Sequence, residues 1–272
     1  GAGGRHMTST DFSQSRSQRR AWAFAWLIFW VGLSALSIRA GDSETHDLAH
    51  TLKPPTGWLH WGTEAFGREL LPLVASAAGR TLGISVSVAL LSLVFGTFIG
   101  GCGPLLGRRL EALIERAVEA ALALPPMIPA LFLATFLGST WSGLLLSMLV
   151  GLVPGFARVA MIRSRELSLE GYVGAAFSLG SSPLHVYRRH VLPSLLELAL
   201  LKLPNGIAGA ILAEATLTFI GIGAPRQHET WGSLLLMSRD YLLEAPWVAG
   251  ASALPLLLTL LSLNTLLVST ES

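Results

Sequence analysis

The chain has 272 residues, of which 51% are hydrophobic and only 13% carry a formal charge, about half the charged fraction of an average soluble domain. That is the composition of a polytopic membrane protein, and a net charge of +2 spread over short loops excludes nucleic acid as a partner. The single cysteine, Cys102, excludes an internal disulfide and a cysteine metal cluster, and reads as a small buried side chain.

Gly1 to His6 reads as an expression scar ahead of Met7, the native start. Together with the polar stretch that carries Arg16, Arg19 and Arg20, it makes residues 1–20 a cytoplasmic tail. Ala21 to Ile38 is an apolar run rich in Trp, long enough for a first transmembrane helix. It exceeds the apolar core of a signal peptide and no small-residue cleavage site follows, so it is expected to be retained. Residues 39–79 read as an extracytoplasmic loop. Within it, WGTEAFGREL (Trp61 to Leu70) has the pattern of a capped amphipathic surface helix. His46, His50 and His60 match no standard zinc spacing and read as solvated loop side chains, so no metal site is expected.

Residues 80–268 are expected to form a five-helix core. Its first span, Thr81 to Gly103, carries Gly96, Gly100, Gly101 and Gly103, small residues that let helices approach closely in lipid. Gly107 to Arg116 reads as a short charged turn. Ala117 to Leu137 is the next span, broken by Pro125, Pro126 and Pro129, which free backbone carbonyls and kink the helix. Those prolines either line a pathway or shape the bundle. After a tight turn at Gly138 to Trp141, Ser142 to Met161 forms a span containing Pro154 and Gly155.

Residues 165–193 form a connection built to touch something other than lipid. Residues 170–179 are helical by spacing, with Tyr172, Val173, Ala176, Phe177 and Leu179 recurring, and Ala175 and Ala176 leave the backbone approachable. Gly180 is a natural helix stop. Ser182 and Pro183 read as N-cap and first residue of a second short helix. Arg188, Arg189 and His190 are expected near that helix's end, where cations favour the dipole, and Leu192-Pro193 is expected to close it.

Ser194 to Gly221 is the fifth span, with Glu197 and Lys202 near one end, Pro204-Asn205-Gly206 inside, and Glu214. A charge at the bilayer centre costs about 3 kcal/mol even on lenient scales, so Glu214 is expected to face a wet cavity, a partner helix or the interface. Pro125, Pro126, Asn205 and Glu214 are the candidate pathway residues. Pro246 to Val268 is the sixth span, and residues 269–272 form a short cytoplasmic C-terminus. With six spans both termini share one side. That side collects eleven cations (Arg16, Arg19, Arg20, Arg108, Arg109, Arg116, Arg158, Arg163, Arg165, Arg188, Arg189), against six on the other (Arg39, Lys53, Arg68, Arg80, Arg226, Arg239), which puts the 165–193 connection in the cytoplasm. No GxxxxGK[ST] phosphate loop, HExxH or Ser-His-Asp pattern is present, so an enzyme acting alone is excluded.

Three stretches resemble one family. Ala175-Ala176, Gly180 and Leu192-Pro193 are spaced as in the "EAA" loop of ABC-importer permeases. The chain departs from it at Gly174, where the family has an acid before Ala-Ala, and at Gly171, where a second acid is common; Glu170 stands nearby. Gly62, Thr63, Glu64, Gly67, Arg68 and Glu69 resemble the "GTDxxGRD" segment of the dipeptide/oligopeptide/nickel permeases, with Glu for both Asp. GAILAEATLTFIGIG (Gly209 to Gly223) is similar to that family's "GAILAEASLSFLGLG", and WGSLL (Trp231 to Leu235) and DYLLEAPW (Asp240 to Trp247) extend the likeness. The resemblance spans Trp61 to Asn264. Family members continue past Asn264 with Gly-Asp and a basic tail, which this chain lacks.

The resemblance implies the second, C-type permease subunit of an ATP-driven importer, with the type I ABC importer permease fold, all-α and six-spanning. It implies a heterodimer with a second permease, two cytoplasmic ATPase subunits that hold ATP and Mg, an extracytoplasmic substrate-binding protein, and a place in the bacterial inner membrane. No cofactor is expected on this chain. Glu170, Gly174, Ala175, Ala176, Gly180, Ser182, Pro183, Arg188, Arg189, Leu192 and Pro193 would form the coupling element against an ATPase. The cargo would be short peptides, with nickel or metal chelates the alternative. A different class, an ion-coupled secondary carrier, would instead use Glu214 and Lys202.

Overall fold

The computed structural model describes residues 9–40, 47–57, 60–223 and 228–268. Among them the chain is helical, apart from one isolated antiparallel bridge between Thr63 and Glu69. The helices are α1 (Ser9–Ala40), α2 (Leu70–Gly101), α3 (Gly103–Leu106), α4 (Arg108–Leu122), α5 (Met127–Leu137), α6 (Trp141–Ser168), α7 (Gly171–Ser178), α8 (Pro183–Val186), α9 (Leu192–Leu201), α10 (Leu203–Phe219), α11 (Trp231–Ser238) and α12 (Pro246–Val268). Four of them, α1, α2, α6 and α12, are long and apolar enough to cross a bilayer. Two bent pairs, α4 with α5 at 86° and Pro183–Leu201 with α10 at 51°, bring the count to six if each pair is one span.

The chain divides into two compact units. In the first, residues 1–79 and 237–272, α1 packs along α12. Trp26 donates its indole N–H to Thr259 Oγ1 at 3.1 Å. An aromatic row runs from Trp22 through Trp26 to Trp30, which meets Trp61 edge-on at 6.5 Å. The second unit, residues 80–236, is built on α6. Ile84, Val88, Ala134, Leu144, Met148, Ala210, Ala213 and Leu217 make its main apolar cluster. The glycines of α2 act as small-residue packing predicts. A Cβ at Gly96 would stand 2.4 Å from the Phe156 side chain, and one at Gly100 2.1 Å from the Ala157 carbonyl oxygen.

Several boundaries differ from the sequence reading. The helix containing the second span starts at Leu70 rather than Thr81, and α1 runs to Ala40, so the loop expected over 39–79 is shorter. Leu73, Val74, Ala75, Ala77 and Ala78 are buried there, and Pro72 sits in the first turn, where no amide bond is forfeited. Gly107 to Arg116 is not a turn: after Gly107, at φ +81°, the charged residues open α4 and find partners on α6. The third span begins at Arg108 rather than Ala117, and it breaks at Ala123 to Pro126, as the prolines there predict, with a bend of 86°. The fourth continues past Met161 to Ser168. Leu192-Pro193 does not end a helix. Residues 183–201 are continuous, so Arg188, Arg189 and His190 lie mid-helix and the dipole argument for them fails. The fifth span starts earlier than Ser194 and breaks at Lys202, just ahead of Pro204.

Candidate functional site

The 165–193 connection is a helix, an elbow and a second helix. Leu179 and Ser181 close α7 through amide bonds to the carbonyls of Ala175 and Ala176, at 3.0 and 3.1 Å. Gly180 makes the elbow at φ +84°, a conformation that costs glycine nothing. Ser182 then takes extended backbone, accepts from the His185 amide at 3.4 Å, and starts α8 at Pro183. Both ends of the elbow thus match the sequence reading.

Beyond it, Tyr187 to Val191 form a π turn, with the Leu192 amide reaching back to the Tyr187 carbonyl. Pro193 explains it: the ring has no N–H for the Arg189 carbonyl and would crowd it in α geometry, and the wider turn removes the clash. The π turn carries a buried face, Tyr187 and Val191, and an exposed one, Arg188 and Arg189. Tyr187, Val191 and Leu195 pack on Ala160 and Leu167 of α6. Cys102 is half-buried rather than buried, and its thiol donates to the Tyr187 hydroxyl at 3.9 Å. Tyr172 of α7 lies against His190 at 5.6 Å, tying the two arms of the knob together.

Of the proposed coupling residues, Glu170, Ala175, Gly180, Ser182, Pro183, Arg188, Arg189 and Pro193 are exposed, Ala176 and Leu192 are half-buried, and Gly174 lies within α7. Three leucines, of which only Leu179 stood out in the sequence, complete this surface. Leu169 is 88% exposed, Leu179 86% and Leu184 57%.

Glu214 is fully buried in α10. Its Oε2 accepts from the Thr81 hydroxyl and its Oε1 from that of Thr218, both at 3.2 Å. Thr81 in turn accepts from the Trp231 amide at 3.1 Å, and Thr230 lies 3.5 Å from Thr218. Arg80 reaches the Glu229 carbonyl at 3.3 Å beside them. A Cβ at Gly232 would fall 2.1 Å from Thr218 Oγ1, so only glycine lets the start of α11 close on α10 here. Of the three environments open to Glu214 from sequence, the structure takes packing between helices. Thr218 was findable as the i+4 neighbour of Glu214; Thr81 and Thr230 carried no sequence signal.

The other pathway candidates do not join it. Pro125 and Pro126 are exposed at the bend, with the Pro126 carbonyl packed where a Cβ on Gly151 would lie 2.8 Å away. Asn205 is exposed and stands nine positions from Glu214, on the opposite face of α10. Lys202 sits at the α9–α10 break, about 18 Å from Glu214 along the helix, so the two make no pair.

In the first unit, Trp61 to Leu70 is a knotted turn and not the surface helix its pattern suggested. Thr63 and Glu69 form the bridge, Gly62 has φ +88° and Gly67 +78°. A Cβ on Gly62 would lie 2.4 Å from the Lys53 carbonyl oxygen, and one on Gly67 1.9 Å from that of Asp47. The buried Glu64 accepts from Arg68 Nε at 2.9 Å, and the Thr63 hydroxyl accepts from the Lys53 amide at 2.9 Å. The motif residues are therefore brought together, with the two glycines set by backbone contact.

Helices long and apolar enough to span, joined by a helix–elbow–helix connection, are those of a multi-pass membrane protein that is helical over its described residues. The chain belongs to the family described as the binding-protein-dependent transport system inner membrane component, which matches residues 92–269. It is similar to a Brucella suis biovar 1 protein named as a peptide transport system permease protein, 31% identical over 95% of this chain and 87% of the relative. An Escherichia coli K12 protein named for D,D-dipeptide transport is 29% identical over 82% of this chain and 75% of its own. The dipeptide transport system permease protein of Alkalihalophilus pseudofirmus is 30% identical over 75% and 68%. Membership makes the chain a non-catalytic transmembrane subunit of an ATP-driven importer.

Proposed function

We propose that this chain forms half of the translocation pathway of a short-peptide importer, as its second, C-type permease subunit. The names of the three relatives support the cargo class. In this reading residues 165–193 are the cytoplasmic coupling element. Residues 39–79 face the outside, where a substrate-binding protein delivers cargo, and residues 80–268 form the permease core. Both termini are cytoplasmic and the membrane is the bacterial inner membrane. A second permease completes the pathway, and two ATPase subunits hold ATP and Mg.

The observation that carries this reading is the knob itself. Its inner face is seated on α6 through Tyr187, Val191 and Leu195, while its outer face presents exposed leucines and arginines. A push on that face would be passed to the spans as a rigid-body movement. Gly174 removes one acid that the resemblance would supply, so docking rests on Leu169, Leu179, Leu184, Arg188 and Arg189. Glu64, Arg68 and their neighbours in the knotted turn hold the outer loop in shape rather than bind cargo.

The test is coexpression with the ATPase subunits, comparing the intact chain with a Gly180→Pro, Arg188→Glu, Arg189→Glu variant in vesicles. Loss of ATPase association by a variant that still elutes as a folded permease is the expected result. Full coupled activity in the variant, or no ATPase on the intact chain, overturns the assignment. Competition of uptake by a dipeptide and by a nickel chelate separates the two cargo classes.

A further inference from the structure

We infer that Arg165 braces the coupling element to α4, so that a movement of the knob reaches the bent span α4–α5 as well as α6. This rests on the reading of residues 165–193 as the ATPase-facing element. Arg165 lies in the last turn of α6, immediately before the knob. Its guanidinium forks onto Glu115 of α4, with both nitrogen–oxygen distances at 2.7 Å, and its Nε donates to Glu111 at 3.1 Å. Seven residues earlier on the same helix, Arg158 meets Glu119 at 3.2 Å. The three acids of α4 stand at i, i+4 and i+8, on one stripe of the helix. As the numbers rise from Glu111 to Glu119 on α4, they fall from Arg165 to Arg158 on α6, so the helices run antiparallel across the ladder. Val118 and Ile114 pack on Ala157 and Met161 beside it.

Isolated surface ion pairs hold little, but a fork with a third contact fixes an orientation that a single point contact cannot. The knob's other attachments, through Tyr187, Val191 and Leu195, are apolar and lead to α6, the end of α2 and Leu105 of the short α3. The Arg165 cluster is the polar attachment that leads to α4, and α4 continues through the prolines into α5. Arg165 is thus a positioning residue: it touches neither cargo nor nucleotide, and acts by making α4 and the root of the knob one body.

The experiment measures that body directly. Spin labels replace the exposed Leu113 on α4 and the exposed Ser168 at the end of α6, in a Cys102→Ala background of the full complex. Distances are read nucleotide-free and after vanadate trapping. With the brace intact, the distribution stays narrow and shifts by less than about 2 Å between states, the scale of ordinary helix adjustments. In Arg165→Glu it broadens in both states. In an Arg165→Glu, Glu115→Arg, Glu111→Gln triple variant, which restores one fork and removes the carboxylate that would face the new glutamate, it narrows again. A label pair that separates on trapping in the intact brace, or a distribution unchanged by Arg165→Glu, overturns the inference. A broadening that the triple variant leaves uncorrected also overturns it, since the arginine would then matter only to local folding. ATPase copurification, scored on the same samples, reports separately on the coupling assignment: its absence from the intact complex sinks that reading while the nucleotide-free widths still test the brace.

Discussion

Thr81 and Glu214, 133 positions apart, are joined at 3.2 Å by a hydroxyl that also accepts the Trp231 amide at 3.1 Å. One side chain therefore serves a buried acid on α10 and the first amide of α11 together. Thr81→Val keeps the shape and removes both bonds, at an expected cost of about 1–3 kcal/mol for stranding buried polar groups. Thr81→Ser should recover most of it. Thermal melting in detergent reads the difference, and a Thr81→Val variant that melts with the parent contradicts the role given to this hydroxyl.

The glycines of α2 make a graded prediction. Gly100→Ala drives a methyl group into the Ala157 carbonyl, whereas Gly83→Ala meets nothing within 4 Å. The first should destabilise by about 1–3 kcal/mol through overpacking. The second should be neutral or stabilising by up to about 1 kcal/mol, the helix advantage of alanine over glycine. Equal melting temperatures for the two variants would mean that α2 and α6 do not meet at Gly100.

Gly67→Ala combines a positive φ of +78° with a collision at the Asp47 carbonyl, while Gly57→Ala has open space. Backbone strain alone costs about 1–3 kcal/mol at such a site. Limited proteolysis should find residues 47–69 rapidly cut in Gly67→Ala and protected in Gly57→Ala.

The same turn should respond to acid. Asp47 accepts from the His50 ring at 2.6 Å and from the Ala49 amide at 3.1 Å, and these bonds hold its carboxyl below the usual carboxylate range. A lowered carboxyl contributes its stability above the ordinary value, about 4, and loses it as pH falls below that through the folded value. Protease nicking near residue 47 should therefore rise at acid pH in the parent, and the rise should be smaller in Asp47→Asn. A pH-independent rate in the parent would remove this contribution.

What was legible in the sequence follows from how local each signal is. Gly180 and the Ser182-Pro183 pair state an elbow and a cap within four residues, and the structure has both. Pro246 to Val268 is uninterrupted and apolar, and its limits as a helix agree. The misplaced boundaries are those where tertiary partners decide. Arg108 to Arg116 looks like a charged turn until Arg165 arrives from α6 to pair its two acids, Glu111 and Glu115. Trp61 to Leu70 has helical spacing, yet two glycines at positive φ, each pressed against a carbonyl from earlier in the loop, forbid it. The continuation through Leu192-Pro193 was hidden because proline there argues for a stop, and only a π turn accommodates it.

That π turn has a consequence for how the chain keeps phase. The buried residues Tyr187, Val191, Leu195 and Ala199 are spaced by four. On a plain α-helix each such step advances the stripe by about 40°, so after three steps it would point about 120° away from where it began. A single wide turn takes back much of that drift. The surplus residue works as a vernier, letting a four-residue rhythm stay aimed at one neighbour from the root of the knob into α9. Removing any one residue between 187 and 191 would leave a helix intact and its aim wrong.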